Sequence, residues 1–197
     1  MTERKVLMSA TQPIRCKSHV RKIVAFYLKR GQIRNHVLIV LGVYTGLRIS
    51  DLLKLSWDDV YDFDRKCVKQ SVCISEKKTG KLRVIAFNKA VVRALALFAV
   101  SNAVPDRALI VNPFTGFAIS RIQAYRIVRA AADALAVCGR VSCHSLRKTF
   151  GYHVWKSGAS PMVIMDIFNH SSLGVTMLYI GITQDDRDKI YMGLSFA

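Results

Sequence analysis

Arg34-Asn35-His36-Val37-Leu38-Ile39-Val40-Leu41-Gly42-Val43-Tyr44-Thr45-Gly46-Leu47-Arg48 is the stretch on which the fold of this 197-residue chain turns. Its second half, up to Tyr44, is almost wholly apolar and lacks the polar stripe of a surface helix. That pattern predicts a central helix buried on all sides. Thr45-Gly46-Leu47-Arg48 breaks it, so an arginine stands where the most apolar part of the chain ends. Ser50 then reads as the cap of a short helix from Asp51 to Leu55.

Working outward toward the N-terminus, Ser18 can cap a helix with Val20, Ile23, Val24 and Tyr27 on one side, ending at Gly31. Residues 1–17 lack periodicity and read as a flexible basic lead-in. In the other direction, residues 66–75 and 82–87 are β-rich. They are joined by Glu76-Lys77-Lys78-Thr79-Gly80-Lys81, whose glycine marks a hairpin turn. Asn88 caps a helix to about Val100, and a loop holding Pro105 and Pro113 follows. Ser120 opens a long helix to about Val137. Three more helices are expected at 143–157, 161–168 and 172–180, with Pro161 at a first-turn position that favours proline. The fold class expected is α+β, mostly helical, with one small antiparallel β-sheet near the middle. The main domain would span residues 18–183, followed by a tail at 184–197.

Hydrophobic residues make up 51% of the chain, enough for a sizeable core. Lys and Arg nevertheless outnumber Asp and Glu by 30 to 13, a formal charge of +17. Self-repulsion of that size is relieved by a polyanion, so nucleic acid is the expected partner rather than plain solvent. Five cysteines, Cys16, Cys67, Cys73, Cys138 and Cys143, form no CxxC pair. Neither a zinc site nor a disulfide framework can be read from them, and reduced thiols fit a cytoplasmic protein. The start, Met1-Thr2-Glu3-Arg4-Lys5, leads into no long apolar run, so no secretory signal is read there.

Four segments carry candidate chemistry: Thr45-Gly46-Leu47-Arg48-Ile49-Ser50, the hairpin Lys77-Lys78-Thr79-Gly80, His144-Ser145-Leu146-Arg147, and Asn169-His170-Ser171-Ser172 with Tyr179 nine residues after the histidine. In this order and spacing the chain resembles the tyrosine recombinase family, which includes phage integrases, over Arg34 to Tyr179, about three-quarters of its length. No single motif is specific, but five matches in order, including the His-to-Tyr interval, are. The resemblance implies the catalytic-domain fold of that family and strand breakage and rejoining through a 3′-phosphotyrosyl bond. It implies no metal and no nucleotide cofactor, with double-stranded DNA as substrate and four protomers assembling on two sites. The free protein would be a monomer.

The chemistry gives the same residue types a reason to be there. Breaking a phosphodiester without metal takes a nucleophile, a proton donor for the leaving 5′ oxygen, and cations around the non-bridging oxygens. By resemblance Arg48 and Arg147 are those cations, gripping the phosphate with paired N–H donors. Lys78, on the hairpin, is the proton donor, chosen over Lys77 because it directly precedes the Thr-Gly pair. His144, three residues before Arg147 and on the same helical face, serves as general base or orients the phosphate contacts. His170 donates to a non-bridging oxygen, and Tyr179 is the nucleophile. Each type has an ordinary alternative. Most arginines and turn lysines are solvated, and His19, His36 and His153 read as packed or solvent-facing. Tyr125, Tyr152 and Tyr191 are rival phenols that the spacing to His170 disfavours.

Asn169 stands where many relatives of that family carry glycine, and Lys148 where many carry histidine. Some 30 residues precede the catalytic core, where typical members have a DNA-clamping helical domain. The small fimbrial-switch recombinases are similarly short. Two other readings stay open on the sequence: a type IB topoisomerase, which shares the chemistry but acts alone, and a non-catalytic DNA-binding regulator on the same fold. The tail combines Asp185, Asp186, Arg187, Asp188 and Lys189 with Ile190, Tyr191, Met192, Leu194 and Phe196. Such a tail can fold back onto its own domain, but in the resembling family the segment often docks on a neighbouring protomer, so the resemblance implies a trans contact.

Overall fold

The structure is a computed structural model that describes residues 11–75, 82–101, 108–182, 186, 188 and 191–195. Within it the quoted stretch is helix α2 (Ile33–Tyr44), and Val37, Leu38, Ile39, Val40 and Leu41 are all at most 1% exposed. Around it pack α1 (Lys17–Leu28), α5 (Lys89–Ser101) and α7 (Cys143–Lys156). An all-round apolar helix of this kind has to be the centre of a layered core, because no face of it can be left in water. The remaining helices are α3 (Ile49–Leu52), α4 (Trp57–Val60), α6 (Arg121–Ala134), α8 (Pro161–Phe168) and α9 (Leu173–Ile180). The α+β, mostly helical class expected from the sequence is the one found.

Several helix starts follow the expected caps: Asn88 accepts from the Ala90 and Val91 N–H groups, Ser120 from Gln123 and Ser160 from Met162. Two further caps were not read from the sequence, Ser142, which accepts from His144, and Ser172, which accepts from Val175. Three local expectations are corrected. The short helix begins at Ile49 with Arg48 as its N-cap residue, rather than at a Ser50 cap. The first helix begins at Lys17 after Cys16. The strands form two ribbons rather than one sheet, β1 (Tyr61–Asp62) with β2 (Cys67–Val68) and β3 (Ser71–Ser75) with β4 (Leu82–Ala86). The chain changes partner between two adjacent residues: the Lys69 N–H bonds back to Val60, whereas the Gln70 carbonyl accepts from Phe87. A run of β-formers does not announce such a switch.

Over its described residues the lead-in packs on the rest of the fold. Ile14 is 3% exposed, its N–H donates to Thr149 Oγ1 at 2.8 Å, and its carbonyl lies 3.0 Å from His153 Nε2. Residues 11–16 therefore run along α7 as a fixed strap. Their polar backbone is satisfied by side chains of that helix, which sequence periodicity does not reveal.

Among the described residues no single helix is long and apolar enough to cross a membrane. The apolar pair α8 and α9 is bent by 90° and sits on α7, where Phe168 and Ile180 bury against Gly151.

Candidate active site

Gly46 sets the local geometry of the first arginine. Its φ of +63° is open to glycine, and a Cβ there would stand 2.6 Å from the Phe150 ring of α7. The turn after α2 can thus lie flat against α7, bringing Arg48 and Arg147 together although 99 residues separate them in sequence. Arg147 is 3% exposed, so its charge needs internal partners. It donates to the Gly46 carbonyl through Nη1 and to the Phe168 carbonyl through Nη2 at 3.0 Å, with its guanidinium 4.2 Å from the Phe168 ring centre. Arg48, which is exposed, donates to the same Phe168 carbonyl at 3.2 Å. One carbonyl at the end of α8 thereby ties the two guanidinium groups side by side.

The turn that follows is equally specific. Asn169 ends α8 in the left-handed region, φ 46° and ψ 53°, where asparagine is the best substitute for glycine. The departure noted at this position therefore keeps the turn. His170 comes next, its Nδ1 3.1 Å from Thr176 Oγ1, and its ring meets the Tyr179 ring edge to face at 5.0 Å. Pinning Nδ1 leaves Nε2 as the nitrogen to meet a ligand. Tyr179 is half-buried, packed edge-on against Phe168 at 5.5 Å, with the Lys148 ammonium 5.1 Å from its ring centre.

The charges explain how these groups titrate. Burial holds Arg147 down to about 10, helped by Arg48 and Arg83 and opposed by Tyr179 and Asp51, so it stays a cation at neutral pH. Burial raises the Tyr179 phenol above its ordinary value, while charge and a hydrogen bond from Arg147, with Arg48 behind, pull the other way without winning. The resting Tyr179 side chain is therefore a neutral phenol. Burial, then neighbouring cations, lower both His144 and His170 below the usual imidazole value. Both are therefore mostly neutral at pH 7.

A cleft of about 320 Å³ opens beside this cluster, lined by Arg48, Asp51, Ile74, Arg83, Arg147 and Asn169 among others. Arg83 was not singled out in the sequence. Its signal is the alternation along β4, which puts Arg83 and Ile85 on the cleft side while Leu82 and Val84 are exposed. A larger groove of about 540 Å³ next to Gly31, Arg34 and Phe98 holds none of the candidate residues. Arg48, Arg147, His170 and Tyr179 are thus gathered at one place. His144 is on the exposed side of the α7 N-terminus, in the field of Arg147, Lys148, Arg121 and Arg48. Lys78 and Lys77 lie outside the described residues; β3 and β4, paired from Ser71–Ala86 to Ser75–Leu82, supply Ile74, Ser75, Arg83 and Ile85 to the cleft wall. Of the other histidines and tyrosines, His36 bonds the Val24 carbonyl, His153 the strap, and Tyr152 is buried under Arg15.

The model of the phage integrase family matches residues 16–185. The probable integrase/recombinase YoeC of Bacillus subtilis is 34% identical over 186 residues, covering 93% of this chain and 97% of that protein. The tyrosine recombinase XerD of Mycobacterium tuberculosis is 27% identical over 82% of this chain, which spans 52% of that relative's length. Among solved structures, the XerA recombinase superposes with a TM-score of 0.74 at 19% identity, covering 93% of this chain and 64% of that one. The XerH site-specific recombinase in a post-cleavage complex with its difH substrate gives 0.73 at 18%, with coverages of 93% and 53%. With the site in this arrangement and the family model spanning nearly all of it, the chain belongs to the phage integrase family, the tyrosine recombinases.

Proposed function

We propose that this chain breaks and rejoins DNA strands as a site-specific recombinase, through a 3′-phosphotyrosyl bond on Tyr179. The observation that carries the reading is the shared Phe168 carbonyl, which fixes Arg48 and Arg147 next to one another with the Tyr179 phenol against Arg147. A phosphate seated on the two guanidinium groups would have its non-bridging oxygens neutralised and its phosphorus within reach of the phenol. Tyr179 Oη then attacks phosphorus as its proton passes to a base, for which His144 is the candidate. The bond to the 5′ oxygen breaks, and that oxygen takes a proton from Lys78. The products are a phosphotyrosine and a 5′ hydroxyl. A 5′ hydroxyl from a second duplex reverses the step, so the energy of the broken bond is kept and neither ATP nor a metal enters the balance. His170 donates to the same phosphate, and anion binding would restore the proton that its surroundings withhold.

The partner is double-stranded DNA, matched to a charge of +17, with a tetramer on paired sites and a monomer in free solution. Such a protein acts in the cytoplasm, on the nucleoid. The tail is the proposed contact between protomers. Asp186 is buried against its own domain, but Tyr191, Met192 and Leu194 beyond it are 77%, 87% and 66% exposed, an apolar surface that a neighbour would cover.

The test is a nicked duplex carrying a candidate attachment site, incubated with protein in excess EDTA and resolved in SDS. A covalent protein–DNA band, followed by joining of two specific duplexes, is expected. Relaxation of supercoils without joining would identify a topoisomerase. DNA binding without any adduct would identify a regulator.

A further inference from the structure

The unit that carries the nucleophile has little core of its own. Its buried apolar residues are Ile164, Phe168 and Ile180, against some twenty in the cluster around α2. Such thinly packed units open locally at low cost unless something else holds them. What holds the end of α9 is the strap. Arg15 donates through Nη2 to the carbonyl of Gly181, the left-handed cap two residues after Tyr179, with φ 75°. Pro13 closes on the same glycine so tightly that a Cβ there would stand 3.2 Å from Pro13 Cδ. Through Nη1, Arg15 also faces Asp186 at 3.6 Å, and Lys156 of α7 holds the other oxygen of that carboxylate at 2.9 Å. Asp186 is 4% exposed, so the carboxylate between these two partly exposed cations is itself shut away from water. The strap also reaches toward Tyr179 indirectly, since Lys148, whose ammonium lies 5.1 Å from the Tyr179 ring centre, donates to the Thr11 carbonyl at 2.7 Å.

From this arrangement we infer that Arg15 is a positioning residue for strand cleavage, clamping the C-terminal end of α9 to the strap and α7 so that Tyr179 is held in line with the phosphate. Arg15 touches neither the cleft nor its arginines. It acts through the Gly181 carbonyl and the Asp186 carboxylate. A guanidinium suits the task because its planar fork serves two acceptors at once, one neutral and one charged, where an ammonium offers a single point charge. The inference rests on Tyr179 being the nucleophile.

The variants Arg15→Gln and Arg15→Lys test it by three measurements on the full chain: single-turnover adduct formation on nicked duplex, affinity for the same duplex, and amide hydrogen exchange. Arg15→Gln should cleave roughly 10- to 100-fold more slowly, the loss expected of a nucleophile displaced by about an ångström. Its affinity for DNA should change little. Exchange should quicken in α9 and stay unchanged in α2, and Arg15→Lys should recover part of the rate by keeping the pair with Asp186. Cleavage of Arg15→Gln at the wild-type rate would overturn the inference, as would unchanged exchange in α9. So would faster exchange in α2 and α9 alike, which is the mark of general destabilisation. If the wild type forms no adduct, the tyrosine chemistry is what fails, and the exchange comparison still decides whether Arg15 holds α9.

Discussion

The two halves of the candidate site are built on different foundations. Arg147 stands on α7, against a central helix whose residues from Val37 to Leu41 are shut away from water, and its guanidinium is locked by two backbone carbonyls. His170 and Tyr179 stand on the α8–α9 unit, whose smaller core of Ile164, Phe168 and Ile180 packs on Phe150, Val154 and Trp155 of α7 and which is tied down further by the arginines on the Phe168 carbonyl and by the strap. The cations that must stabilise charge are fixed before DNA arrives, as preorganised electrostatics requires. Tyr179, the proposed nucleophile, sits on the unit with the smaller buried core. A covalent intermediate has to be formed, held and then reversed, and a movable tyrosine over a fixed phosphate site suits that sequence.

The largest effect is expected in the fixed half. Arg147→Ala should reduce single-turnover adduct formation on the order of 10³-fold, as for loss of a principal transition-state donor. Arg147→Lys should recover little, because a lysine cannot reach Gly46, Phe168 and a phosphate together. Near-normal cleavage by either variant would remove Arg147 from the machinery. Next comes Lys78→Ala, expected to slow an ordinary substrate about 10²-fold and to matter far less for a 5′-bridging phosphorothiolate, whose sulfur leaves without a proton. Equal losses on both substrates would make Lys78 a DNA contact only, and rescue confined to Lys77→Ala would shift the role by one residue.

A smaller effect should separate the halves by stability. A Cβ on Gly151 would meet Ile180 Cγ2 and Phe168 Cε2, each at 2.7 Å. Gly151→Ala should therefore push the α8–α9 unit off α7 at a cost of about 1–3 kcal/mol. Leu38→Ala, in the core of α2, should cost about 2–5 kcal/mol of global stability. Cleavage should fall in the first variant even where it remains folded. A Gly151→Ala protein with full activity would mean that the seating of this unit is not critical.

How much of this was legible in the sequence differs between the same two regions. The buried helix, the caps at Asn88 and Ser120, and the order of the site segments could be read directly, because apolar runs and capping residues act locally. Tyr179 and His170 were found by their interval, since one short turn and one helix fix their separation. The strap could not be read. Ile14 and Arg15 find partners more than 130 residues away, and no local pattern encodes that. Arg83 was missed for a related reason: on a two-stranded ribbon, which face meets the cleft depends on where the ribbon docks. Asn169 looked like a departure and proved compatible with the turn once its φ was known.

The smallest effect is on pH. Burial and nearby cations lower His144 and His170, and burial lowers His153 despite its bond to the strap. Between those lowered values and the ordinary imidazole value of about 6.5, the unfolded chain binds protons that the folded chain does not. Stability should therefore rise with pH through that window and be lost as pH falls through it. Urea midpoints between pH 7.5 and 5.5 check the sign, and His170→Gln should flatten the slope. A midpoint that climbs on acidification would contradict the electrostatic account of the site.

The most direct test of the central claim is to digest the covalent adduct with protease and nuclease and identify the residue bearing the nucleotide by mass spectrometry. The modified peptide is expected to contain Tyr179, and Tyr179→Phe to yield none. A nucleotide on Tyr191, Tyr152 or any other side chain, or an adduct that persists in Tyr179→Phe, would contradict the account.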